Sequence, residues 1–141
     1  NYLGLAQYQA QDWEGARQSF TLALEVYPEY VEALVNLSVL EWGQEDADRA
    51  LDYLERAAAL EPGNRDVIVN TGLIQVQTGS VAAALELFRK YSQAHSEDIE
   101  VMGLLIDILV QTDQMEEARQ VAERILEVQP RHAKARAIVE S

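Results

Sequence analysis

A beat of 34 residues runs through this chain without an insertion, and it constrains the fold more than any other feature. Pro28 and Pro62 stand one interval apart, Pro130 stands two intervals beyond Pro62, and the missing member of the series is Ser96. Ala16, Ala50, Ala84 and Ala118 keep the same interval. Four residues after each alanine come Phe20, Leu54, Phe88 and Ala122, and seven after come Ala23, Ala57, Tyr91 and Ile125. Upstream, Leu3-Gly4 aligns with Leu37-Ser38, Thr71-Gly72 and Leu105-Ile106. A period of this length means that each unit is a supersecondary piece unable to bury its own apolar face, so neighbours must stack.

Within one period the helical spacing occurs twice. In the second unit Ala33, Leu34, Leu37 and Ser38 fall three and four apart, on one helical face. A polar break at Gln44, Glu45 and Asp46 follows, and Ala47, Ala50, Leu51, Leu54, Ala57 and Ala58 resume the spacing. Asp12, Asp46 and Ser80 stand where the second helix of a pair begins, and a side-chain oxygen there accepts from free backbone N–H groups. Gly79 supplies permissive backbone in the turn before. Pro62-Gly63-Asn64 ends the second helix, because proline lacks the N–H that a helix interior uses. The alanines let paired helices approach closely, and the Leu or Phe four residues on fills the space beside them.

These residues resemble the tetratricopeptide repeat family: the 34-residue period, the Leu-Gly or Leu-small pair, the middle alanine, the aromatic or Leu four on, the next alanine and the closing proline. The first two units match best. The third keeps Gly72, Ala84 and Phe88 but carries Tyr91 and Ser96 in place of alanine and proline; the fourth keeps Leu105, Ala118 and Pro130 but has Ile106, Ala122 and Ile125. The resemblance implies an all-α, right-handed superhelical solenoid of antiparallel helix hairpins. It places repeats at 1–30 (incomplete at its start), 31–64, 65–98 and 99–132 of one domain, with 133–141 opening a further first helix. It also implies a protein-interaction scaffold whose concave groove, lined by first helices, takes a peptide or partner protein. The fold does not fix the function by itself.

The groove positions that the resemblance implies include Leu5 and Tyr8; Val35, Asn36, Val39 and Trp42; Asp66, Val69, Asn70, Leu73 and Val76; and Asp107. Glu32 and Glu100 join them on an acidic edge. Trp42 has two readings, an anchor for a partner or a packing residue between adjacent first helices. Asn36 and Asn70, one interval apart, also have two: rungs that bind a peptide backbone through side-chain amides, or helix-surface asparagines bonded to their own neighbours. A clamp for a free C-terminal carboxylate, known in the family, would need cations. The groove has almost none before Lys134 and Arg136. The acidic edge suits a basic or apolar protein ligand, or serves only solvation.

The net charge of -13 repels nucleic-acid phosphates and anionic lipid. Zero cysteines leave no disulfide, thiol nucleophile or cysteine-bound metal, and fit any compartment, the cytoplasm being the default. No apolar run approaches the ~18 residues of a membrane span. His95 and His132 lack a paired ligand at helical spacing, and Glu45-Asp46-Ala47-Asp48 lacks the pattern of a calcium loop. Asn36-Leu37-Ser38 forms a glycosylation sequon with its middle residue in a helix core. The expectation is therefore no catalytic centre, no metal and no cofactor. Two other readings stand beside partner binding: assembly of the chain on itself into a homo-oligomer, and service as the targeting arm of a larger enzyme.

Overall fold

The computed structural model describes residues 12–141, and every regular element among them is an α-helix. In chain order these are α1 (Trp13–Val26), α2 (Val31–Gly43), α3 (Ala47–Leu60), α4 (Arg65–Gln77), α5 (Val81–Ala94), α6 (Ile99–Gln111), α7 (Met115–Val128) and α8 (Ala133–Glu140). The odd-numbered helices begin 34 residues apart, and so do the even-numbered ones. None of the described helices is long and apolar enough to cross a membrane.

Local chemistry sets the helix ends. Asp12 and Asp46 accept from the amides of Gly15 and Arg49 at 3.1 Å, capping α1 and α3 as the sequence leads one to expect. Ser80 occupies the matching position before α5 but makes no side-chain capping bond, so that expectation fails there. Each even-numbered helix from α2 to α6 closes in a left-handed residue: Glu45 (φ 63), Gly79 (φ 91) and Asp113 (φ 59). The amide of the following residue reaches back five positions, from Asp46 to Glu41, Ser80 to Gln75 and Gln114 to Leu109, at 2.7 to 2.8 Å. This is the Schellman closure, which satisfies carbonyls that the helix end would otherwise leave free. Only the middle turn uses the residue that adopts this backbone without a Cβ penalty.

The chain divides into two compact units, Asn1–Ile74 and Gln75–Ser141. In the first, α2 packs against α1 and α3. Ala16 and Phe20 of α1 form one apolar cluster with Leu37 and Leu40 of α2. Val31 and Leu34 form another with Ala50, Leu54 and Ala57 of α3 and with Val67 and Ile74 of α4. The middle alanines are fully buried, which is what their small size allows. Glu41 is buried among these residues. Arg17 Nε donates to its Oε1 at 2.8 Å, and Arg49 Nη1 stands 3.8 Å from Oε2.

In the second unit α6 packs on α5 and α7, and α7 packs on α8. Phe88, Met102, Leu105, Ile106, Leu109 and Ile125 are its large buried side chains. Tyr91 and Ser96 depart from the alanine and proline of the repeat pattern, and the connection here is held another way. The Tyr91 hydroxyl donates to Asp98 Oδ2 at 2.9 Å, and His95 stacks on the Tyr91 ring with centroids 4.3 Å apart. Arg89 grips Glu117 with Nε and Nη2, both at 2.8 Å, and Arg124 Nη2 donates to the Ser92 carbonyl at 2.9 Å.

Candidate partner-binding faces

A helix in a stack buries one stripe and leaves another open. On α2 the buried stripe is Val31, Leu34, Leu37, Ser38, Leu40 and Glu41. Val35, Asn36, Val39 and Trp42 are half-buried on the complementary stripe, and Glu32 beside them is exposed. On α4, Asp66 and Leu73 are exposed while Val69, Asn70 and Val76 are half-buried. On α6, Glu100, Asp107 and Val110 are exposed. Leu5 and Tyr8 lie outside the described residues.

Several of these side chains are already engaged. Trp42 and Val35 pack against the cluster around Leu34 and Leu54, so Trp42 contributes to the core of its own unit. Asn70 Nδ2 donates to the Asp66 carbonyl one turn earlier at 2.8 Å. That is the local bond of a helix-surface asparagine, and it leaves the amide's second hydrogen and its oxygen for other use. Asp107 forms an ion pair with Lys134, both about half-exposed. An acid expected to attract a ligand's cation is thus answered by the chain's own lysine. In the sequon, Leu37 and Ser38 are fully buried, and Ser38 Oγ donates to the Val35 carbonyl at 2.6 Å, so the site is closed to modification.

The first unit also holds an open cleft of about 830 Å³. It runs past the starts of α2 and α4, beside Val35 and Asn36, and is walled by residues of the connections preceding those helices. Tyr27 and Tyr30 form one wall, edge to face, with ring centroids 6.4 Å apart and planes at 73°. Glu29, Glu32, Glu61 and Asp66 border it. The expected groove positions supplied Val35, Asn36 and Asp66 but not the tyrosines. A signal for Tyr30 was present in the sequence. Positions 30, 64, 98 and 132 precede the even-numbered helices; three carry Asn, Asp and His, and one carries Tyr.

The buried pair of Glu41 and Arg17 was not foreseen either, because Glu41 sits beside Trp42 in a stretch whose period gives no sign of an inward acid. Its hydrogen bond holds the Arg17 guanidinium above its ordinary pKa, against the opposing effect of burial; Glu117 does the same for Arg89. A cation with a raised folded value stabilises the protein fully below its unfolded value and loses that contribution only as pH rises through the folded one. For arginine that window lies far above neutrality, so neither arginine titrates near neutral pH.

Family models described as tetratricopeptide repeat match residues 3–65, 39–99 and 75–140. A curated relative, the protein CTR9 homolog of Arabidopsis thaliana, is 29% identical over 104 residues, which are 71% of this chain and 10% of that protein. The chain therefore spans a tenth of the length of this relative. Among solved structures, a tetratricopeptide repeat protein from Parabacteroides merdae superposes with a TM-score of 0.87 at 20% identity, covering 96% of this chain and 54% of that one. The MamA protein gives a TM-score of 0.78 at 16% identity, covering 94% and 73%. YrrB, described as a TPR protein with an unusual peptide-binding site, gives 0.74 at 20% identity, covering 94% and 68%. The likeness to these structures is one of fold, the all-α tetratricopeptide-repeat solenoid.

Proposed function

Since this chain belongs to the tetratricopeptide repeat family, we propose that it holds an extended peptide or a partner protein on the outward stripes of its first helices, through apolar and acidic contacts. Repeats of this family are typically non-catalytic interaction modules. The observation that carries the reading is the composition of those stripes. Leu73 and Val110 leave 41% of their surface open, on helices whose inward faces bury Val67, Ile68 and Ile74 or Met102, Leu105 and Leu109, and Asp66 and Asp107 lie on the same stripes. Exposed apolar residues beside charge are the make-up of a contact surface with a polar rim.

Leu73 and Asn70 are the residues to change, because Trp42 and Val35 also serve the core. Immobilised protein and an Asn70→Ala, Leu73→Ser variant are presented with extract from the source organism, after circular dichroism has established equal helicity. The reading expects at least one protein retained by the wild type and lost by the variant. Equal retention by both would move the contact off the α4 stripe and refute the assignment.

A further inference from the structure

We infer that the tyrosine-walled cleft at the starts of α2 and α4 is a receptor for an arginine side chain of the partner peptide. The inference rests on the reading of the outward stripes, which the cleft adjoins through Val35 and Asn36.

The first observation is a broken local rule. Asn64, Asp98 and His132 each accept from the backbone amide three residues on, at 3.1, 3.3 and 3.2 Å. Tyr30 holds the same place before α2 and makes no side-chain capping bond. A capping side chain stabilises a helix by ~1 kcal/mol, so Tyr30 gives up a stabilisation that its three counterparts keep. Departures of this kind concentrate at functional sites. Tyr27 departs in parallel. It is 68% exposed, and its counterparts one, two and three periods on are Glu61, His95 and Gln129. The two departures meet, ring edge against ring face.

The second observation is electrostatic. Among the described residues Glu29, Glu32 and Asp66 have no cation within ion-pair distance, and Glu61 accepts only from the Asn64 amide at 3.2 Å. Glu32 and Asp66 lie in first helical turns, where the helix dipole already favours an acid. Glu29 and Glu61 lie in the connections and are surplus to that role. Acids alone would accept any cation. The tyrosine faces select a planar guanidinium, which stacks on aromatic rings and forks to carboxylates, over a compact, strongly hydrated ammonium. The molecule holds such a contact elsewhere: the Arg56 guanidinium lies 5.9 Å from the centre of the Tyr53 ring.

The test uses a fluorescent, acetylated nonapeptide of alternating arginine and leucine, with citrulline and lysine counterparts, titrated by anisotropy at physiological salt. A chain this acidic attracts any basic peptide, so the deciding variant leaves the charge unchanged. Tyr30→Asn removes the ring and restores the missing cap. It is expected to raise the melting temperature and to weaken arginine-peptide binding about tenfold, the scale of a lost aromatic anchor. Citrulline is expected to weaken binding by a similar factor, and lysine by less. Binding by Tyr30→Asn equal to the wild type would mean diffuse attraction and overturn the inference. So would equal binding of the citrulline peptide, or no binding of the arginine peptide. The Asn70→Ala, Leu73→Ser variant separates the two readings. If it alone loses the peptide, the α4 stripe stands and the cleft falls; if Tyr30→Asn alone loses it, the cleft stands and the stripe falls. Concentration-dependent dimerisation by sedimentation, abolished in Tyr30→Asn, would replace the peptide with a second copy and overturn its assignment.

Discussion

The two units use one helical pattern and arrange their charges differently. Residues 1–74 carry thirteen carboxylates and four cations, and residues 75–141 carry eleven and seven. In the first unit Arg17 pairs with the buried Glu41 as well as with the exposed Glu14, and the mostly exposed Arg49 stands 3.8 Å from Glu41. In the second, cations answer exposed or half-exposed acids, in the pairs of Arg89 with Glu117 and Lys134 with Asp107. The first unit thus holds an inward acid that the second lacks, and its cleft is bordered by Glu29, Glu32, Glu61 and Asp66.

The sharpest way to break this comparison is to remove one arginine from each unit. Arg17→Ala leaves the buried Glu41 with only Arg49, 3.8 Å away and mostly exposed. Breaking a buried pair on one side costs ~3 kcal/mol, and a urea denaturation midpoint reads the loss directly. Arg89→Ala leaves Glu117 one-third exposed, so water replaces the partner and the cost is ~1 kcal/mol. Equal losses would mean that the two pairs do the same work and that the contrast between the units is cosmetic.

A second substitution tests the position that Glu41 occupies. Its counterparts among the described residues are Gln75 and Leu109. Glu41 has its arginines and Leu109 needs no partner, but the Gln75 side-chain oxygen is buried without a hydrogen bond. Gln75→Leu should therefore stabilise the protein by ~1 kcal/mol, the scale of one unsatisfied buried acceptor. A lower midpoint would show that the amide has a role its oxygen does not reveal.

The smallest effect concerns the left-handed turn residues. Glu45 and Asp113 hold a backbone that Gly79 adopts without penalty. Glu45→Gly should gain ~1 kcal/mol. Asp113→Gly should gain about half of that, because aspartate tolerates this region better. Thermal denaturation of the two variants side by side checks the order, and a reversed order would contradict it.

Much of the fold was legible because packing is periodic. Ala16, Ala50, Ala84 and Ala118 are all fully buried, as are Phe20, Phe88 and Ala122. The candidate groove positions came instead from the resemblance to the family, carried across residue by residue. The side chains that distinguish one repeat from the next were harder to read. Arg17 finds Glu41 across 24 residues, Arg89 finds Glu117 across 28, and Lys134 reaches Asp107 from the following repeat. No period announces such pairs, because each occurs once. Tyr91 belongs with them: it breaks the alanine pattern, and its hydroxyl explains why only when Asp98 is seen beside it.

The uncapped start of α2 has a consequence in time as well as in energy. A first helical turn latched by a side chain opens rarely; an unlatched one opens and recloses more often. The amides of Glu32 and Ala33 should therefore take up deuterium sooner than their counterparts Asp66 and Val67 behind Asn64. Those hydrogens point toward whatever sits in front of the helix. A peptide settling between the tyrosines would bring carbonyl oxygens to the same place, and the partner's own backbone would become the latch that α2 lacks.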